Sequence, residues 1–313
     1  METRRIGNSD LEVSIIGLGC NNFGLTIDAV ESRKVIRKAI ELGVTFFDTS
    51  NTYGNPKGTS ETILGGALAP MRNQVVVATK CGKALNGQGR LKGGARRTIM
   101  ESVEESLTRL KTGWIDLMYM HDPDPSTSIE ESLRAFDDLV NQGKVRSIAC
   151  SNFCSGQMSE AAMTAAKSAL PRFIASQDEY NLLNRKAEER LFPTIQALGL
   201  GFIPYFPLAS GLLTGKYQRD HMPAGSRLTD AGWFADHQLS DENWQKVARL
   251  RDFCDQTGRP MVELAFGWLA SQPMVASIIA GATRAQQVEQ NVKAVACNLD
   301  SLVLARLSEL TQP

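Results

Sequence analysis

Three ionisable residues occupy matching places in a chain of 313 residues: Asp48 directly after the apolar run VTFF, Lys80 after VVVAT and His121 after DLMYM. Tyr53 follows Asp48 closely and can fold back over the same surface. Taken singly, each has an ordinary structural explanation. Asp48 in DTSNT can be a turn or cap residue, Lys80 a snorkelling lysine, His121 a satisfied hydrogen-bonder and Tyr53 a rim aromatic. Their equivalent placement is harder to explain that way. If the three runs are neighbouring parallel strands, roughly 4.8 Å apart, the side chains reach one another. A carboxylate, an ammonium, a phenol and an imidazole then share one pocket, a set of proton donors and acceptors that does not by itself name a reaction.

The elements that must position these groups are short apolar runs alternating with amphipathic segments, the signature of βα units around a parallel sheet. The runs lie near 14–18, 44–47, 74–79, 115–120, 145–150, 173–176, 201–205 and 275–279, eight in all. Helical patterns lie between or after them near 28–42, 60–69, 95–111, 128–142, 156–168, 185–198, 260–271 and 284–296. In the first helix Val35, Ile36, Ala39 and Ile40 share a face, and Asp28 with Glu31 has capping-box spacing. Eight such units close most simply into an α/β (β/α)8 TIM barrel, although periodicity alone leaves an open doubly wound sheet available. The absence of a G-x-G-x-x-G fingerprint weakens that alternative. In a barrel the strand C-termini form one face, which is where Asp48, Lys80 and His121 fall.

Three segments stand outside the repeat. Residues 3–13 read as an N-terminal β-hairpin plugging the barrel floor, and 299–310 as an extra C-terminal helix. Residues 207–239, after the seventh strand, follow no period and mix Gly, Pro, Asp and aromatic residues, which reads as a lid. No repeat or linker divides the chain, so residues 1–313 are expected to form one domain. With 34 basic and 34 acidic side chains the formal net charge is zero, and no global field points to nucleic acid or anionic lipid. The N-terminal segment lacks an apolar signal core and no stretch has membrane-spanning length, so a cytoplasmic protein, monomeric by default, is expected. Six cysteines lack CxxC or CxxH spacing, which argues against disulfides and zinc.

The residues around these groups resemble the aldo-keto reductases. The resemblance is carried by IGLGCNNFG, FFDTSNTYG with SETILGGAL, ATK, IDLMYMHDPDP, SIACSNF, SQDEYN, PYFPLASGLLTGKY and IIAGATRAQQVEQN, and it covers essentially the whole chain. It implies an NAD(P)H-dependent oxidoreductase in which Asp48, Tyr53, Lys80 and His121 are the catalytic tetrad and no metal takes part. Tyr53 would protonate a carbonyl oxygen as hydride arrives. A free phenol, with a pKa of about 10, is a reluctant donor, so Lys80 would lower it while Asp48 orients Lys80. His121 would position the carbonyl.

The resemblance also implies a cofactor site. Ser151, Asn152 and Gln177 would bond the carboxamide, Tyr205 would stack on the nicotinamide, and Cys20 and Asp48 would lie beside it. Phe206, Pro207, Leu208, Ala209 and Ser210, with Lys216 and Arg227 from the lid, would line the pyrophosphate path. Gly281, Thr283, Arg284, Gln287, Gln290 and Asn291 would hold the adenosine half, where a helix N-terminus favours phosphate. This chain departs from the family pattern at Cys20, Phe206, Ala280 and Gly281, where threonine, a small residue, proline and often lysine are usual. Charge for a 2′-phosphate would then come from Arg284 or the lid, giving NADP(H) preference over NAD(H). A rival reading in another class is a nicotinamide-sensing regulatory module. The substrate, a small carbonyl or alcohol, would be chosen by the loops 86–94, 121–128 and 216–239, with Trp233 or Phe234 closing over it.

Overall fold

The computed structural model describes residues 1–83, 93–230 and 232–312. The hairpin strands β1 (Thr3–Arg5) and β2 (Glu12–Ser14) pair antiparallel. The apolar runs form, among the described residues, eight parallel strands in one sheet. These are β3 (Ile16–Gly19), β4 (Phe46–Asp48), β5 (Val76–Cys81), β6 (Ile115–Met120), β7 (Val145–Ser151), β8 (Phe173–Glu179), β9 (Gly201–Tyr205) and β10 (Ile278–Gly281). Strands β3 to β9 follow one another in space and β10 lies against β3. The ring closes where Phe202 N donates to Met274 O and Ala276 N to Phe202 O, both at 2.9 Å. The fold is a (β/α)8 barrel.

Strand alternation divides the core into two layers. In β6, Leu117 and Tyr119 join Phe46, Ala78, Ala149, Ala175, Ile203 and Ile279 inside the barrel. Met118 and Met120 face the helices with the larger outer cluster. Each fully buried side chain of this size contributes roughly 1.5–3 kcal/mol. The hairpin supplies Ile6 and Val13 to the inner layer, so it does plug the floor. Gly7 makes that docking close: its φ is +53°, and an added Cβ would lie 2.5 Å from Gly201 N.

Helix boundaries follow their caps. Asp28 Oδ1 accepts from Val30 N at 2.8 Å and Glu31 N at 2.9 Å, starting the helix Ala29–Glu41. The Glu31 carboxylate is paired with Lys34 at 2.6 Å. The C-terminal helix Ser301–Leu310 is present, capped by Asp300. Residues 207–239 are more ordered than their composition indicates, with a 3-10 segment Ala209–Thr214 and short helices Arg227–Asp230 and Gly232–Gln238. The helix Asp241–Thr257 was not foreseen by periodicity, because its buried residues are only Lys246, Val247 and Leu250. Its end signals were nonetheless legible: Ser240 caps Asn243 N, and Gly258 terminates it with φ +65°. Among the described residues no helix is long and apolar enough to cross a membrane.

Candidate active site

The barrel brings Asp48, Lys80 and His121 to adjacent strand ends, as the spacing implied, with Asp48 paired to Ala78 and Lys80 to Tyr119 in the parallel register. Lys80 is 1% exposed and Asp48 2%. Lys80 Nζ donates to Asp48 Oδ1 at 2.5 Å and to Thr49 O at 2.9 Å. Asp48 Oδ2 accepts from Gln177 Nε2 at 2.9 Å, so both carboxylate oxygens are engaged. An ion pair this deep is sustained only when such hydrogen bonds offset its desolvation. Burial pushes the Lys80 ammonium toward neutrality, but Asp48 and Tyr53 outweigh it and hold its pKa above the ordinary lysine value.

Lys80 Nζ lies 5.1 Å from the centre of the Tyr53 ring. Burial raises the phenol pKa, Lys80 lowers it and Asp48 raises it, and the net direction is upward. The expected pull of Lys80 is therefore present but smaller than desolvation. His121 meets Tyr53 edge-to-face, with ring centroids 6.2 Å apart. Burial, then Lys80 and Lys83, depress its pKa well below the ordinary value, so the imidazole is neutral near pH 7. Ser50 Oγ lies 3.2 Å from His121 Nδ1 and accepts from Thr52 N at 3.2 Å. With Ser50 donating to Nδ1, Nε2 keeps the proton and can donate to a carbonyl oxygen.

The residues assigned to the carboxamide meet around β7 and β8. Ser151 and Gln177 are register partners and both are buried. Asn152, at φ +61°, donates to His121 O at 3.0 Å and Asp122 Oδ1 at 2.9 Å. Its Oδ1 accepts from Tyr205 OH at 2.9 Å. Asn152 thus fixes Tyr205 and the His121 backbone. Beyond Tyr205 the chain turns through Phe206, Ala209, Ser210 and Gly211, with φ of 53°, 46°, 56° and 104°. Asn181 Nδ2 braces that turn through Phe206 O at 2.9 Å, and Pro207 and Leu208 lie within it. Ser210 Oγ is buried without a hydrogen-bond partner, as is Asn51 Nδ2. A left-handed turn with an orphan hydroxyl suits a polar ligand such as a pyrophosphate.

The lid reaches the rim at two places. Arg227 Nη2 donates to Asn22 Oδ1 in the β3 loop at 2.6 Å, and His237 Nε2 lies 2.7 Å from Glu179 Oε2 at the end of β8. Lys216 Nζ lies 4.9 Å over the Tyr217 ring. Cys20 is buried beside Asp48, and burial followed by Asp48 keeps it a thiol. Gly281 ends β10, and Thr283 and Arg284 precede the helix Ala285–Val295. Gln287 Oε1 accepts from Thr283 N at 2.7 Å and Arg284 N at 3.2 Å, so it caps this helix. Gln290 is exposed, while Asn291 is buried on the face of Val288 and Val295. Most of the substrate loop 86–94, and the side chains of Trp233 and Phe234, lie outside what the structure describes.

Several contributors were not singled out from sequence: Ser50, Asn22, Asp122 and the Glu179–His237 pair. Asp122 adjoins His121 and Ser50 lies two residues after Asp48, so proximity in sequence was their only signal; the others depend on the lid's path.

The fold and the strand-end groups define a (β/α)8 barrel with an acid–base site at the C-terminal ends of its strands. The chain belongs to the aldo/keto reductase family, whose model matches residues 15–312. It is 36% identical over 303 residues to a probable voltage-gated potassium channel subunit beta of Oryza sativa subsp. japonica, covering 94% of this chain and 91% of that one. It is 34% identical over 306 residues to an L-glyceraldehyde 3-phosphate reductase of Escherichia coli, covering 94% and 88%. An uncharacterized oxidoreductase of Bacillus subtilis is 32% identical over 319 residues, covering 99% and 96%.

Proposed function

We propose that this protein reduces aldehydes or ketones to alcohols, or runs the reverse reaction, with NADPH preferred and Tyr53 as general acid and base. One observation carries the reading: the Lys80 ammonium, which Asp48 holds charged, lies 5.1 Å from the centre of the Tyr53 ring and pulls its phenol pKa down against burial. A bound nicotinamide supplies the hydride. Tyr53 delivers the proton to the developing alkoxide, and Lys80 stabilises the phenolate left behind. Its charge is fixed before the reaction, so little reorganisation is required. His121, neutral, donates from Nε2 to the carbonyl oxygen and orients it. Ser151 and Gln177 would hold the carboxamide, Tyr205 the ring face, and Ser210 with the lid residues Lys216 and Arg227 the pyrophosphate. Arg284 and Thr283 would read the 2′-phosphate. Asn152, engaged by Tyr205 and Asp122, braces this wall.

The relative named as a channel beta subunit favours a second reading, a nicotinamide-binding regulatory module with little turnover. The two separate on repetition. Purified protein with excess NADPH and a panel of aldehydes and ketones is expected to oxidise many equivalents with at least one substrate. A single equivalent followed by silence across the panel favours the regulatory module.

A further inference from the structure

The helix Thr59–Leu68 starts shortly after Tyr53, and its first turn buries two polar side chains, Ser60 and Glu61, that the proposed chemistry does not use. Ser60 Oγ lies 2.9 Å from Thr49 Oγ1 and donates to Cys20 O at 2.8 Å. Glu61 accepts from Thr79 Oγ1 at 2.5 Å through Oε1 and from Arg109 Nε at 2.6 Å through Oε2. Thr49 follows Asp48, and Thr79 precedes Lys80. Because strand side chains alternate, Thr79 meets the helix layer while Lys80 faces the barrel interior.

Tyr53 is tied to the same turn from the other side. Its carbonyl accepts from Gly58 N at 3.0 Å and from Ser60 N at 3.3 Å. The helix is also pressed onto its neighbour Arg96–Leu110, since a Cβ on Gly65 would stand 2.3 Å from Leu110 O. Packing alone does not call for a fully buried carboxylate here. An apolar side chain of similar volume would hold the helix with less desolvation. What Ser60 and Glu61 add is direction, fixing the helix along the strands as well as against them.

We infer that Ser60 and Glu61 are positioning residues for the proposed proton transfer: they register the segment carrying Tyr53 against the strands carrying Asp48 and Lys80. The inference rests on the reading of Tyr53 as proton donor. A small change in that register matters, because a misplacement of about 1 Å costs up to about 100-fold in rate.

Thr79→Val tests it, removing the tie to β5 while leaving Glu61 paired with Arg109. The expected kcat is about tenfold lower, with KM for the carbonyl and Kd for NADPH unchanged. The solvent deuterium isotope effect on kcat rises as proton delivery becomes slow. Thr79→Ser, which keeps the hydroxyl, restores all of these, and Ser60→Ala, cutting the other tie, repeats the loss. Crystal structures read the Tyr53 Oη to Lys80 Nζ separation directly, expected longer in Thr79→Val than in wild type or Thr79→Ser. An unchanged separation and isotope effect in Thr79→Val, or an equal kcat loss in Thr79→Ser, overturns the inference. A wild-type chain that reduces no carbonyl sinks the proposed reaction instead, and the separation then decides the positioning role by itself.

Discussion

The two halves of the barrel mouth are built on different physics. Around β4 and β5 the polar groups are buried and hold one another: Lys80, Asp48 and Gln177 form a chain of direct hydrogen bonds with almost no solvent contact. Across the mouth, the His237–Glu179 contact and the start of the helix Ala285–Val295 lie at the surface, although Tyr217 and Leu228 anchor the intervening segment in the core. Arg284 and Gln287 are exposed, and the His237 side chain that meets Glu179 is 44% exposed. The first half is suited to a proton donor whose geometry must not change. The second is suited to a ligand that enters and leaves, because surface ion pairs contribute about 0–1 kcal/mol each and open readily.

Substitutions can break that contrast, and the largest effect belongs to the buried half. Asp48→Ala leaves the Lys80 ammonium buried and unpaired, and should lower unfolding free energy by roughly 3–5 kcal/mol in a urea titration. A loss below about 1 kcal/mol, the range of a surface pair, would erase the distinction. On the open half, Arg284→Ala should weaken NADPH binding by about one to two decades, the value of a charge-assisted phosphate contact of roughly 1.5–3 kcal/mol. NADH binding should stay near wild type. Equal losses for both cofactors, read by fluorescence titration, would take the 2′-phosphate away from Arg284.

The pH dependence sharpens the contrast further. His121 has a folded pKa depressed by burial and then by Lys80 and Lys83. The unfolded chain therefore takes up a proton near pH 6.5 that the folded chain refuses. Stability attributable to this group is complete above that pH and is lost as the pH falls below it, by about 1.4 kcal/mol per unit. Asp178, pushed up to about 6 by burial, acts oppositely, binding its proton more readily in the folded state. The difference between wild type and His121→Gln isolates the imidazole: the stability of wild type relative to the variant should fall on acidification below pH 6.5, and a flat difference would show that His121 is not held neutral. The smallest effect is expected at the lid. His237→Ala should change global stability by less than about 1 kcal/mol yet speed proteolytic cleavage within residues 207–239. Cofactor should slow that cleavage, and equal rates with and without NADPH would contradict lid closure.

The same contrast explains what the sequence made legible. The strand ends were readable because a parallel barrel turns the position after each apolar run into a place on one face, so Asp48, Lys80 and His121 needed no side-chain detail. The direction of the Tyr53 shift was not readable, since it is a balance between burial and Lys80, and burial is a property of the assembled mouth. Asn291 was readable in part: it shares helical spacing with Val288 and Val295, a pattern that marks an inward face. The Gln287 cap, three residues after Arg284, had a legible spacing as well. The rim contacts were not readable, because Arg227 to Asn22 and His237 to Glu179 join segments far apart in the chain through a lid without periodicity.

The central claim is that Tyr53, beside the Lys80–Asp48 pair, delivers the proton. It is tested most directly by mixing wild type and Tyr53→Phe, each saturated with NADPH, with one aldehyde that the wild type reduces, and following cofactor oxidation by stopped flow. The account predicts a first-turnover rate lower by two or more orders of magnitude in Tyr53→Phe, about the contribution of a positioned general acid, with NADPH affinity unchanged. A first turnover as fast as wild type at that unchanged affinity would contradict it.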